Sequence, residues 1–484
     1  MKLYHNMTIK NVPAQQSGPV TDQKTMAANQ PIRIVLTNTL QLSNVPPEFR
    51  SMLMEKLKFP NPKWMENHRL GRWNRGTSQE LRFYDTVGKD GLWIPRGYIR
   101  HLVDMCRQQR IPFELEDRRQ TLDPVSFNFS GKLRPFQQKA VQDMLAKEFG
   151  TLSAPTGSGK TVIALYLIAE RRQPTLIVVH TKDLAFQWID RIESFLKIPA
   201  DEVGLIGAGK KTVGQKITVA LVQSLYRCAA EINGCFGHLV VDECHRTPSR
   251  TFTDAVTEFS TRYMLGLSAT PWRRDGLSKL IFWHLGDVHH EMIKAELIRS
   301  GDVLDVEVRF RETDFKPHFD PVTAYSKMLS ELTVNDDRNR LIASDVAQEA
   351  ETGQGVCLVL SDRKKHCETL QAILKFRHKI SSELLTGDLK NSDRQAVLER
   401  LNSGDVRVLI ATGQLIGEGF DHKDLSILFL ATPIRFSGRL LQYLGRVLRP
   451  AAGKGKARVY DYVDAKVDVL TAAAKARQKV YARR

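Results

Sequence analysis

The 484-residue chain has no apolar run approaching the roughly 20 residues needed to cross a bilayer, and its first thirty residues are polar, without the hydrophobic segment of a secretory signal. Neither membrane insertion nor export is expected. Cysteine is scarce as well. The six cysteines (106, 228, 235, 244, 357 and 367) fall in no Cys-x-x-Cys pair and no His-rich spacing, which argues against zinc and against a disulfide framework. Reduced thiols in a soluble intracellular protein, cytoplasmic and nucleoid-associated, are the expectation. Acidic residues are in deficit, 54 Asp and Glu against 71 Lys and Arg, so the formal net charge is +17. That balance biases the surface towards polyanions such as nucleic acid without naming one. Tandem repeats are absent, and 42% hydrophobic content over this length supplies cores for three or so domains.

What the chain does contain is a phosphate-binding loop. Ala154 to Thr161 reads Ala-Pro-Thr-Gly-Ser-Gly-Lys-Thr. Along Pro155, Thr156, Gly157, Ser158 and Gly159, the two glycines let backbone N–H groups turn inward on a polyphosphate. A helix expected to open at Thr161 adds its positive end. Lys160 reaches the β- and γ-phosphates and the Thr161 hydroxyl holds Mg²⁺. A short strand over 151–154 and a helix over 161–172, with Val162, Leu165 and Ile168 at helical spacing, frame the loop. Downstream, the apolar run His238 to Val241 ends in Asp242 and Glu243. Neighbouring side chains at a strand end point in different directions, so Asp242 can hold Mg²⁺ while Glu243 orients and deprotonates the attacking water. The pair makes the chain an NTPase that uses Mg²⁺.

Composition and periodicity divide the rest. Residues 1–30 read as a disordered leader, in which Met26 is an alternative start. Residues 31–125 read as a small α+β accessory domain that binds DNA, with a strand from Ile32, a hairpin around Gly88 to Gly91 and a helical stripe from Ile99. Its Trp64, Trp73 and Trp93 lie among arginines, a mixture that suits base stacking and equally suits core tryptophans under a charged surface. Strands alternating with helices over 126–297 indicate a doubly wound parallel sheet. A connecting segment follows over 298–345. The same rhythm returns over 346–466 without a phosphate loop, and 467–484 reads as a basic tail, a solvated end.

Read in order, the motifs from about Leu133 to Pro450 resemble those of superfamily 2 helicases and translocases, which implies two tandem RecA-like α/β domains after the N-terminal α+β domain. Leu133 to Gln137 resembles the Q-type motif, placing Gln137 at the adenine edge with Arg134 beside it. Thr181, Lys182 and Gln187 resemble motif Ia, and Gln223 and Ser224 motif Ib, both tracking the nucleic-acid backbone. Asp242 to His245 resembles a DExH motif II. Ser268, Ala269 and Thr270 resemble motif III, which with His245 implies coupling of nucleotide to the interdomain cleft. Thr412 and Gly413, together with Gly417 and Asp421, resemble motif V, and Ser361 joins the nucleic-acid set. Gln442, Arg446 and Arg449 resemble motif VI, in which two arginine fingers complete catalysis.

Within the superfamily the chain is similar to the XPB-like and UvsW-like branch, judged from Leu-Arg-Pro-Phe-Gln, Ser-Ala-Thr-Pro-Trp-Arg-Arg-Asp-Gly and Leu-Gly-Arg-Val-Leu-Arg-Pro. The resemblance implies work on duplex or branched DNA, or on single strands, with 3′ to 5′ tracking, in repair, recombination or phage-related processes. XPB carries Arg-Glu-Asp where this chain has Arg273-Arg274-Asp275, so a strand wedge there is not expected, and Arg273 and Arg274 are assigned to nucleic acid instead. Two alternatives stay open: an RNA-dependent ATPase of the same superfamily, and an ATP-gated DNA-binding subunit of a larger machine with an external nuclease or repair partner. A monomer is expected.

Overall fold

The computed structural model describes residues 30–155, 157–246, 250–269, 278–302, 304–352, 355–387, 389, 391–413, 424–434, 440, 443–444 and 456–482. The expected leader lies outside them. The chain divides into two compact units. The first comprises the described residues through Ser153 with Ile163–His180 and Arg191–Glu291; the second comprises Ala154–Val162, Thr181–Asp190 and the described residues from Met292.

The first unit opens with β1 (Ile32–Leu36), β2 (Thr39–Ser43), β3 (Lys58–Pro60), β4 (Glu80–Arg82), β5 (Asp85–Val87), β6 (Gly91–Pro95) and β7 (Phe113–Asp117). Five form a sheet in the order β5-β6-β2-β1-β7, with β1 and β7 parallel and the other pairs antiparallel. The alternation in β1 does what it predicts: Ile32, Ile34 and Leu36 are buried and Arg33 is exposed. Their face packs on Phe49 and Leu53 of the helix Pro47–Lys56 and on Leu102 and Cys106 of the helix Ile99–Gln108. The hairpin forms with Val87 opposite Gly91, while Leu81 and Arg82 pair with β3 instead.

This core does not stop at residue 125. It runs on into Leu280 and Trp283 of the helix Ser278–Leu285. At Gly97 the backbones approach so closely that a Cβ would stand 2.2 Å from the Phe282 carbonyl oxygen. The buried Arg96 guanidinium donates to the Thr261 carbonyl at 2.9 Å and lies over the Phe149 ring. The N-terminal layer is thus a built-in part of its unit. Deleting it would expose Leu280 and Trp283, so point substitutions are the way to probe it.

The second layer contains β8 (Phe149–Ser153), β9 (Thr175–Val179), β10 (Gly204–Gly207), β11 (Lys210–Lys211), β12 (Ile217–Leu221), β13 (His238–Val241), β14 (Tyr263–Ser268) and β15 (Val288–Glu291), in the order β11-β10-β12-β9-β13-β14-β8-β15. All pairs are parallel except β10 with β11. Central strands such as β9 are buried throughout, as expected for a sheet covered on both faces. The segment joining the layers runs past the residues that precede β14 and β9. There the Gln120 N–H donates to the Ser260 carbonyl at 2.6 Å and the Leu122 N–H to Gln173 Oε1 at 2.7 Å. That is the amino edge of the sheet, opposite the edge where β8 runs out towards the phosphate loop.

The second unit holds an all-parallel sheet of β16 (Val306–Thr313), β17 (Val356–Ser361), β18 (Glu383–Leu385), β19 (Val408–Thr412), β20 (Leu425–Leu430) and β21 (Ala457–Asp464), ordered β16-β21-β20-β17-β19-β18. Two expectations are corrected here. Residues 298–345 do not merely connect. They supply β16, which pairs with β21 along its whole length, and the start of the helix Asp336–Thr352, whose Ile342 and Ala343 are fully buried. Nor is the C-terminus a solvated tail. The helix Asp468–Ala482 buries Leu470, Ala474 and Arg477, the last only 3% exposed. Arg477 grips Asp461 of β21 with contacts of 2.6 to 3.1 Å, and the Tyr481 hydroxyl donates to the same carboxylate at 2.9 Å.

Two buried histidines, His238 and His366, and the half-buried His284 make the fold acid-sensitive. Burial, then Arg171, pushes His238 well below 6.5; burial, then Arg96, lowers His284 to about 4; burial, then Arg338, lowers His366 to about 3. Each is neutral when folded and takes up a proton on unfolding below about pH 6.5. The stability each supplies is therefore complete above that pH and is lost as pH falls through the window down to the folded value. At pH 5 His284 and His366 each cost about 2 kcal/mol, and His238 acts in the same direction. Thermal midpoints measured by circular dichroism should fall steadily from pH 7 to pH 5, and a flat profile would contradict this assignment.

Candidate active site

The phosphate loop leaves β8 after Ser153. Gly157 and Gly159 both take left-handed backbone angles, φ +91° and +83°, which turn the loop back on itself at little steric cost. The helix Lys160–Arg171 opens one residue earlier than the spacing suggested. Ser158 is buried and donates its hydroxyl to the Pro155 carbonyl at 2.7 Å, and Lys160 Nζ reaches the Ala154 carbonyl at 3.1 Å. The Lys160 ammonium is thereby drawn in over the loop. Thr161, in the first helical turn, is half-buried; Thr156 lies outside the described residues.

The acidic pair follows β13. The Asp242 N–H extends the parallel ladder to the Val178 carbonyl at 3.0 Å, and the residue is 7% exposed. Glu243 has φ +49°, a left-handed angle uncommon for a residue other than glycine. Its N–H donates to Asp242 Oδ1 at 2.8 Å. Its carboxylate meets His245 Nδ1 at 3.1 Å, and the same ring nitrogen lies 3.2 Å from Ser268 Oγ at the end of β14. One imidazole therefore bridges the acid of motif II and the first residue of motif III. β13 and β14 are adjacent and parallel, so their carboxyl ends lie side by side. β8 is the next parallel neighbour of β14, so chain leaving β8 and β13 departs from the same edge of the sheet. The motif resemblance groups His245 with Ser268 for coupling, and the structure adds the contact itself, 3.2 Å from His245 Nδ1 to Ser268 Oγ.

The remaining expected site residues are distributed as follows. Gln137 is buried in the first turn of the helix Pro135–Leu145, and its Oε1 accepts the Arg134 N–H at 3.0 Å, closing that helix end. Thr181 Oγ accepts the Leu184 N–H at 3.3 Å at the start of the helix Lys182–Leu196, with Lys182 exposed and Gln187 half-buried. Gln223 is exposed and Ser224 half-buried on the short helix after β12. In the second unit, Ser361 ends β17 buried, its hydroxyl 2.9 Å from His366 Nδ1, in a position that orders this turn. Thr412 ends β19, and the Gly413 carbonyl accepts the Tyr443 hydroxyl at 2.7 Å. Ala269 follows Ser268 directly. Thr270, Arg273, Arg274, Gly417, Asp421, Gln442, Arg446 and Arg449 lie outside the described residues.

The sequence matches the family described as "Type III restriction enzyme, res subunit" over residues 130–273 and the "Helicase conserved C-terminal domain" over residues 337–451. It is 29% identical over 374 residues to a protein of Acanthamoeba polyphaga mimivirus, L396, whose name gives it as an ATP-dependent RNA helicase; the match covers 73% of this chain and 68% of the relative. It is 27% identical over 372 residues to the DNA 3′-5′ translocase XPB2 of Sulfurisphaera tokodaii, covering 69% of this chain and 83% of that protein. Its fold is similar to that of S. cerevisiae Dbp5 bound to RNA and ADP BeF3, with a TM-score of 0.52 and 15% identity over 73% of this chain and 88% of that one. The glycine cradle, the paired acids and the two helicase matches converge: the chain belongs to the superfamily 2 helicases, in their XPB-like branch, and is an ATP-dependent nucleic-acid helicase.

Proposed function

We propose that the chain remodels duplex or branched DNA, moving 3′ to 5′ along one strand while hydrolysing ATP. The observation that carries the catalytic half is the contact from Glu243 through His245 to Ser268, which ties the water-activating carboxylate to the strand end from which motif III departs. The loop fits a polyphosphate, because two left-handed glycines and a helix start aim N–H groups at one place. The Asp242 carboxylate and Thr161 hydroxyl supply the hard oxygen donors that suit Mg²⁺, which when bound offsets charge on the β- and γ-phosphates. Lys160 neutralises the same oxygens, and Glu243 orients the attacking water and accepts its proton. Arg446 and Arg449 supply guanidinium charge as the γ-phosphate bond breaks. Gln442 stands beside them in motif VI, Gln137 with Arg134 contacts the base, and Gly417 and Asp421 complete the nucleotide set.

The net charge of +17 suits a nucleic-acid partner of either kind, and DNA is favoured over RNA by similarity to a protein named as a DNA 3′-5′ translocase. Backbone tracking is assigned to Thr181, Lys182, Gln187, Gln223, Ser224, Arg273, Arg274, Ser361, Thr412 and Gly413. Strand displacement on duplexes with a 3′ or a 5′ single-stranded tail tests both substrate and direction. DNA with a 3′ tail should be unwound and its 5′-tailed counterpart spared. Displacement confined to RNA duplexes, or to the 5′ tail, would overturn this reading.

A further inference from the structure

Residues 61–82 form an arm in which no residue is buried. The helix Pro62–Arg69 is well formed yet has no buried residue. Trp73, in the loop that follows, is 84% exposed, and Met65 and Leu70 are also exposed. The arm is nonetheless held firmly. At its base β3 pairs with β4, and Asn61 caps the helix through Lys63 N–H at 3.1 Å while donating to the Ser78 carbonyl at 2.7 Å. Asn67 donates to Asn74 Oδ1 at 3.0 Å, and Asn74 donates in turn to the Trp64 carbonyl at 3.2 Å, which pins the Trp73 loop to the helix. Trp64 itself lies flat on His68, ring centres 5.0 Å apart and 10° from parallel.

Folding gains nothing from an indole left in water, so its use lies in what it meets. The arm carries Lys63, Arg69, Arg72, Arg75 and Arg82 against only Glu66 and Glu80, and two of these arginines lie within two residues of Trp73 in sequence. An exposed flat ring on so basic an arm fits a nucleobase joined to phosphates and does not fit an apolar protein face. We propose that this arm is a base-stacking grip, in which Trp73 covers the face of an unpaired or terminal nucleobase while Arg72 and Arg75 neutralise the flanking phosphates. Continuous duplex hides its base faces between stacked pairs, so the grip selects ends, forks and junctions. The inference rests on the reading of the chain as a nucleic-acid motor and adds to it how that motor chooses its loading point.

Fluorescence anisotropy with full-length protein tests it, using forked DNA as probe and a covalently closed, relaxed circular duplex as competitor. Trp73→Ala should weaken fork binding by about tenfold, the scale of one lost base stack, with affinity for the closed circle and its salt slope unchanged. Trp73→Phe should recover most of the loss. Arg72→Ala combined with Arg75→Ala should weaken both ligands and flatten the salt slope by about 1 to 2. The exposure of Trp73 makes misfolding of the variant unexpected, and an unaltered thermal midpoint checks it. Wild-type fork affinity in Trp73→Ala, or an equal loss on the closed circle, overturns the grip. If either of those results comes with fork-stimulated ATPase intact, the motor reading survives while the grip falls; should wild-type protein bind no nucleic acid, both fall.

Discussion

Glu243→Gln should lower kcat for ATP hydrolysis by about 10³-fold, within the range for removal of the positioned general base proposed here, and should leave nucleotide and nucleic-acid binding close to wild type. The substitution keeps the size and shape of the side chain beside His245, so the turn at φ +49° and the contact of His245 with Ser268 should persist. Only the capacity to take a proton from water goes. Phosphate release under steady state, with nucleotide affinity from a fluorescent analogue, separates the two effects. A kcat within a few-fold of wild type would show that some other group activates the water and that the strained turn at Glu243 serves the fold alone.

Arg446→Ala should lower kcat by about 10³-fold as well, at the lower end of what the proposed arginine finger would contribute, with a much smaller change in nucleotide affinity. The distinction is physical: the guanidinium is needed where charge develops as the γ-phosphate bond breaks, and it matters little for holding the ground state. Arg446→Lys should not restore the rate, because an ammonium cannot present the planar fork that matches two phosphate oxygens. Full recovery with lysine would reduce Arg446 to a general positive charge, and an unaffected rate in Arg446→Ala would remove motif VI from the chemistry.

Those features of the site that depend on local stereochemistry were readable from the residues themselves. Gly157 and Gly159 stand where the chain must turn left-handed, and the apolar run His238 to Val241 ends where two acids begin, so strand, loop and helix were anticipated to within about a residue or two. Features that depend on distant partners were not. β21 earns its place between β20 and β16, and β16 lies about 150 residues away in sequence, a pairing no local pattern encodes. Arg477 looked like a solvated charge because the acid that buries it, Asp461, belongs to that same unanticipated strand. The tryptophans of the N-terminal layer resisted assignment for a related reason: burial is decided by neighbours, and only the fold shows Trp73 standing in water while the core takes Trp283 from a helix well beyond residue 125.

The steady-state ATPase rate measured against single-stranded, duplex, forked and Holliday-type DNA, with RNA alongside, puts the proposal of a DNA motor to its plainest test. Forked and Holliday-type DNA should stimulate turnover most strongly, duplex less, and RNA little. Strong stimulation by RNA with none by any DNA would contradict it and leave an RNA-dependent ATPase in its place.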